Sequence, residues 1–247
     1  MSPDAAEMLA AVEQSPQATA AHDRAAWVEL FTDDGRVEDP FGSRPHIGHA
    51  QIARFYDTFI GPRHITFHRD LDIVAGTSVI RDLTLEVGMG SDVVMVIPAF
   101  LRYDLCQSAR GWQIARLRAY WELPAMIAQI LGHGLKALPA TVRLSAGLLR
   151  NQRVVGTAGF LSGFGGAGSR GKQLVEHALA GGLMVEVPRE CRWDKVIVAG
   201  NTVAAAIRAP AGRGVLFVAL DDRGRTITDV NLFRSEKWTS GVPTDPG

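Results

Sequence analysis

At Pro62 the spacing of apolar residues changes from helical to alternating, and the two sides of that switch read as different kinds of structure. Upstream, Leu9, Val12, Trp27, Leu30 and Phe31 recur at helical spacing over residues 5 to 31. His22-Asp23 can break and re-cap that segment into two helices. Asp33-Asp34-Gly35 reads as a turn, residues 36 to 39 as a short strand ended by Pro40, and residues 41 to 48 as a Gly/Pro loop. Ile52, Phe55, Tyr56 and Phe59 then give one side of an amphipathic helix over 49 to 60. Downstream, Ile65, Phe67 and Leu71 alternate with His64, Thr66 and His68, and further strands are expected over 79 to 87, 93 to 104 and 112 to 121. Turn signals separate them at Gly88-Met89-Gly90-Ser91 and over 107 to 111. Helices first and antiparallel strands afterwards predict an α+β cone: a curved antiparallel sheet wrapped around helices.

The second half repeats this plan. Ile73-Val-Ala-Gly-Thr-Ser-Val79 returns as Ile197-Val-Ala-Gly-Asn-Thr-Val203, and each copy is followed by two more strand patterns. Helical segments over 125 to 149 and 172 to 179 precede the second copy. The pattern predicts a tandem duplication with a boundary near Pro124, giving domains over 1–124 and 125–247. The length suits two small domains, each able to bury a modest core.

Lys plus Arg number 26 and Asp plus Glu number 26. With no net charge there is no field to gather nucleic acid or an anionic membrane, so neither is expected as a partner. The apolar stretch over 123 to 149 is interrupted by His133, Lys136, Pro139 and Arg143, and reads as buried or interface helix. The first residues lack a basic flank followed by an apolar run, so no signal peptide is expected. Cys106 and Cys191 are far apart and in no metal spacing, which fits a reduced, cytoplasmic protein. No His/Asp/Glu cluster has metal spacing, and neither metal nor cofactor is expected.

Asp39 stands in Val37-Glu-Asp-Pro-Phe-Gly42, followed by Pro45-His-Ile-Gly48, Gln51-Ile-Ala-Arg-Phe-Tyr56, Leu101-Arg-Tyr-Asp104 and Arg118-Ala-Tyr-Trp-Glu122. Over residues 5 to 122 this resembles ketosteroid isomerase and the SnoaL-like proteins of the nuclear transport factor two-like superfamily. The resemblance implies a cone-shaped domain with an apolar pocket. It implies Asp39 as the general base that moves a proton next to a carbonyl, its pKa raised by apolar walls. Read without the resemblance, Asp39 could simply cap the Asp-Pro turn. The oxyanion donors that the isomerase needs fall at Ser15 and Ala99, which cannot supply them, and Tyr56 is the phenol left in place. The resemblance further implies a pocket lined by Ser15, Phe55, Ile65, Phe67, Met95, Ile97, Ala99, Leu117 and Trp121.

A gap-free alignment turns Ile80, Asp82, Thr84 and Glu86 inward and makes Asp39 and Asp82 a carboxylate pair, as in the epoxide hydrolases and cyclases this resembles. A register shifted by one residue exchanges the two faces and puts Asp82 and Glu86 outside. The spacing alone leaves both registers open. In the second half, Gly166, Gly168 and Gly171 formally match G-x-G-x-x-G, and Gly166 to Lys172 matches G-x-x-x-x-G-K. Gln173 replaces the Ser or Thr of a phosphate loop, and the strands that follow are not a Rossmann repeat, so nucleotide binding is not expected. The second copy has Ser162 or Gly163 where the first has Asp39, and reads as a non-catalytic partner pairing with the first as an internal pseudo-dimer, with a further homodimer possible.

The expectations compete. One is an isomerase- or cyclase-like enzyme with Asp39, Asp82 and Tyr56 as catalytic groups, acting on an apolar steroid- or polyketide-like molecule. Another is an inactive scaffold that binds an apolar ligand. Further alternatives are an epoxide hydrolase using Asp39 and Asp82, and an interaction module with a filled cavity.

Overall fold

The computed structural model describes residues 3–89, 93–132, 167–181, 190–236 and 238. Its first part opens with helix α1 (Pro3–Ala20), which turns Met8 and Val12 into the core. Helix α2 (Arg24–Glu29) follows, capped by Asp23, whose side chain accepts from the Ala26 amide at 2.9 Å. The break at His22-Asp23 is therefore where the sequence places it. Strand β1 (Phe31–Glu38) pairs with the two-residue β2 (His46–Ile47), and α3 (His49–Phe55) runs on into a π-helical turn over Tyr56–Ile60. Four long strands complete the sheet: β3 (His64–Ala75), β4 (Ser78–Gly88), β5 (Val94–Ser108) and β6 (Gly111–Tyr120). Asp33-Asp34-Gly35, expected as a turn, lies inside β1 as an irregularity in its pairing with β6.

The sheet order is β2-β1-β6-β5-β4-β3. All pairs are antiparallel except β1 with β6, which is parallel. The expected all-antiparallel sheet is thus corrected to a mixed one. Turn signals could foretell only hairpin neighbours. β1 and β6 are joined by most of the domain, and a long connection leaves the strand direction free.

The domain's core continues past Pro124. Helix α4 (Leu123–Gly132) buries Leu123 and Met126 in the same cluster as Trp27, Val37 and Leu117. β6 ends opposite Phe100, leaving the rest of β5 without a partner on that side. Gln129 of α4 fills the gap, accepting from the Val96 amide at 3.0 Å and donating to its carbonyl at 2.9 Å. Its side-chain amide replaces a strand there.

In the second part, helix α5 (Gly168–Ala180) precedes four antiparallel strands: β7 (Arg192–Ala199), β8 (Thr202–Ala209), β9 (Gly212–Leu220) and β10 (Ile227–Arg234). The two copies of Ile-Val-Ala-Gly form equivalent hairpins, β3–β4 and β7–β8, each turning at a glycine with positive φ, Gly76 at 57° and Gly200 at 52°. Among the described residues the second sheet has one helix against it, through Val175 and Ala178, so it is a sheet with little helical filling instead of the expected helix-filled cone. Its other face packs on the outer face of the first sheet: Ile197, Ala204, Val215 and Phe217 meet Ile73, Ile80, Phe100 and Tyr120. Residues 163 to 166 of the glycine-rich segment, Ser162, and residues 133 to 149 lie outside the described residues.

Candidate active site

Side chains alternate along β1, so Val37 enters the core while Glu38 turns to the outer face and pairs with Arg116. Asp39 follows and faces inward again. Its bond to Pro40 is cis. Because β1 and β6 run parallel, their C-terminal ends lie side by side, and Trp121, just past β6, reaches Asp39. The indole Nε1–H donates to Asp39 Oδ1 at 2.6 Å.

Both line a cavity of about 130 Å³. Its walls hold the expected Phe55, Ile65, Phe67 and Met95, and also Ile97, Leu117, Trp121 and Ser15. Ala99 is buried in the surrounding core but is not part of the wall. The lining also includes residues that sequence reasoning missed: Arg63, Tyr103, Leu85, Val87, Leu101 and Met126. Most of the lining is apolar, and burial there pushes the Asp39 carboxyl up to about 6 against the opposing indole hydrogen bond.

The inward set on β4 is the apolar one. Leu83, Leu85 and Val87 stand opposite Ala99, Ile97 and Met95 on β5, and directly opposed residues share a face. Asp82 stands opposite Phe100, on the outer face, and pairs with Lys195 of β7. Asp39 and Asp82 therefore lie on opposite faces of the sheet, which corrects the expected pair. The gap-free alignment was one residue out of register, and a single step exchanges the faces. Glu86 is exposed and pairs with His68 at 3.1 Å.

Lys195 also donates to the carbonyls of Leu83 (2.8 Å) and Ala99 (3.0 Å), and its ammonium lies 4.5 Å from the centre of the Phe100 ring. Burial pushes the Asp82 pKa up, and Lys195 opposes that. This is a pair that joins the sheets, away from the cavity.

Tyr56 is buried against Trp27, with ring centres 5.6 Å apart, and does not line the cavity. Ser15 does, but its hydroxyl accepts from Trp27 Nε1 at 3.1 Å. The phenol that does line the cavity is Tyr103. It is fully buried, and its hydroxyl makes no hydrogen bond of normal geometry. Burial pushes its pKa up to about 12, partly offset by the charge of Arg81 and by the nearby Ser15 hydroxyl. Tyr103 was legible: Ile97, Ala99, Leu101 and Tyr103 are successive alternate residues of β5. Among the described residues, no three His, Cys, Asp or Glu side chains come together to hold a metal, and no helix is long and apolar enough to cross a membrane.

Residues 12–105 match the family model of the SnoaL-like domain. No curated protein matches the chain. Solved structures align with about half of it. The Delta 5-3-ketosteroid isomerase from Mycobacterium sp. is 29% identical, with a TM-score of 0.44 over 49% of this chain and 96% of that one. RV0760c from Mycobacterium tuberculosis, in complex with estradiol-17beta-hemisuccinate, is 24% identical, with a TM-score of 0.43 over 48% and 95%. SalBIII, an epoxide hydrolase/cyclase-like enzyme in pyran ring formation in polyether salinomycin, is 21% identical, with a TM-score of 0.44 over 49% and 95%.

Proposed function

We propose that the first domain is an acid–base enzyme that moves a proton next to a carbonyl of an apolar small molecule, with Asp39 as the base. The observation that carries this is a single carboxylate held by Trp121 in a mostly apolar cavity, with a pKa of about 6. Such a group is mostly ionised at neutral pH yet basic enough to take a proton and give it back.

In the simplest step, Asp39 takes a proton from the carbon beside the carbonyl. The C–H electron pair moves into an enolate, and Asp39 returns the proton to a carbon further along the conjugated system. The enolate oxygen needs a donor. The roles expected of Tyr56 and Asp82 pass to Tyr103, whose unengaged hydroxyl lines the same cavity. The enclosed space is close to that of cavities of about 150 Å³ that admit a benzene ring. It suits one ring-sized, carbonyl-bearing part of a substrate, steroid-like or polyketide-like. The second sheet, which has no described counterpart of this cavity, serves as a cover for the first sheet's outer face. The paired hairpins support reading it as a degenerate repeat in a pseudo-dimer.

The test is isomerisation of a β,γ-unsaturated cyclohexenone to its α,β-unsaturated isomer, followed by ultraviolet absorbance. The wild type should turn it over, and Asp39→Asn should lose about a hundredfold or more. Equal rates in both proteins would remove Asp39 as the base. A second reading, a non-catalytic binder of apolar ligands, is favoured by Ser15 and Ala99 at the positions where donors were expected. It predicts binding of the same ketone without turnover.

A further inference from the structure

The cavity holds one cationic side chain, and nothing in the proposed proton transfer uses it. Arg63 sits between the π-helical turn and β3, half-buried, in the cavity wall. Its Nη1 donates to the Thr58 carbonyl at 2.7 Å and its Nε to Met89 Sδ at 3.1 Å. Those two bonds fix the plane of the guanidinium and leave Nη2 unengaged by them. No described carboxylate pairs with it. A cation drawn partly out of water is normally matched by an acid.

Asp39 is in the same cavity but does not serve as the partner. Burial alone moves Arg63, pushing its pKa down to about 10, and burial and Trp121 alone move Asp39. Both line the one cavity, and no hydrogen bond or ion pair joins them among the described residues. Arg81 shows the contrast: it is fully buried and held by Asp72 at 2.8 Å and Glu13 at 2.8 Å. This chain matches buried arginines with acids when they are structural. Arg63 has been left with a donor to spare.

We propose that Arg63 receives an anionic group of the ligand, so that the substrate is an apolar carbonyl compound carrying a carboxylate remote from the reacting carbon. This rests on the reading of the cavity as the Asp39 site and adds the chemical class of what fills it. The guanidinium would bind the carboxylate through Nη2, with Nη1 and Nε anchoring it to the wall. The apolar body would lie along Phe59, Ile65 and Met89 towards Asp39. The two charges then set direction: the anion is drawn to Arg63 and kept from the Asp39 carboxylate, which orients the molecule before any proton moves.

Binding of phenylbutyrate and of phenylbutyramide, read by the fluorescence of Trp27 and Trp121, tests this without turnover. The two probes match in shape and differ in charge. The wild type should prefer the carboxylate by about tenfold or more, the worth of a charged hydrogen bond. Arg63→Gln should bring the ratio close to one while leaving amide affinity unchanged, and Arg63→Lys should restore part of the preference. Thermal melts of each variant identify any that is unfolded, and Arg63→Lys carries the comparison if Arg63→Gln is. Asp39→Asn separates this proposal from the function on which it rests: it should lower turnover about a hundredfold or more and keep the carboxylate preference. The proposal is overturned if the wild type binds neither probe, binds both equally, or keeps its preference after Arg63→Gln.

Discussion

Gly42 and Gly200 meet backbone to backbone, so close that a Cβ on Gly42 would stand 2.6 Å from the Cα of Gly200. Gly42 belongs to the loop that carries Asp39, and Gly200 to the hairpin of the second sheet. Both have positive φ, 91° and 52°. The adjacent Phe41 stacks on Tyr120 with ring centres 4.6 Å apart, within the cluster that joins the sheets. Glu122, next to Trp121, accepts from the Val198 amide at 3.1 Å. The second sheet thus braces both the base's loop and the residue beside its hydrogen-bond donor. Gly200→Ala should cost about 2 kcal/mol in denaturant unfolding, from backbone strain and the lost approach. It should also lower turnover more than Gly76→Ala, the equivalent turn with open space around it.

Asp39 sets the pH dependence. Catalysis should rise as pH passes through about 6, where the carboxyl ionises, and level off above it. Stability should move the other way. The folded pKa lies above the unfolded one, so the folded state holds more protons between about pH 4 and 6, and stability falls as pH rises through that window. Asp39→Asn should therefore melt higher than wild type at neutral pH, by on the order of 1 to 3 kcal/mol, and the gap should close below about pH 4. A melting difference that stays constant from pH 4 to 8 would show that Asp39 is not desolvated.

Tyr103→Phe separates a donor from a filler. The hydroxyl makes no hydrogen bond of normal geometry, with Ser15 its nearest polar company, so the variant should melt within about 1 kcal/mol of wild type. If Tyr103 stabilises the enolate, kcat should fall about a hundredfold with little change in ketone affinity. An unchanged kcat assigns Tyr103 to the wall alone.

Lys195→Met leaves Asp82 buried without its cation and should destabilise the protein by about 3 to 5 kcal/mol. Adding Asp82→Leu should recover most of that, because both charges are then gone. Neither change should alter the pH midpoint of turnover, since the pair lies across the sheet from the cavity. A shift of that midpoint in the double variant would bring Asp82 back as a partner of Asp39.

The order of elements, the break at His22-Asp23 and the inward faces of β3 and β5 were legible because each rests on local spacing. Ile65 and Phe67, or Met95 and Ile97, declare their face by alternation alone. The same rule, carried across the β3–β4 and β4–β5 registers, turns Leu85 and Val87 inward and Asp82 outward. The gap-free alignment instead fixed β4 without reference to its neighbours. Tyr103 was within reach of the alternation that had already turned Ala99 inward. Trp121's bond to Asp39, the parallel β1–β6 pair and the absence of an acid beside Arg63 among the described residues depend on contacts between distant segments, for which a single sequence carries no local signal.

The Asp39–Trp121 bond joins the first strand of the domain to the residue just after its last, 82 positions apart. During synthesis Asp39 leaves the ribosome long before Trp121, and in that interval it is an ordinary, hydrated carboxylate. Its acidity changes as the apolar wall of β3, β4 and β5 takes it out of water. The hydrogen bond that holds it comes last, when β6 closes against β1 and brings Trp121 to it. Reactivity here belongs to the finished chain, and a nascent or truncated one carries the same aspartate in silence.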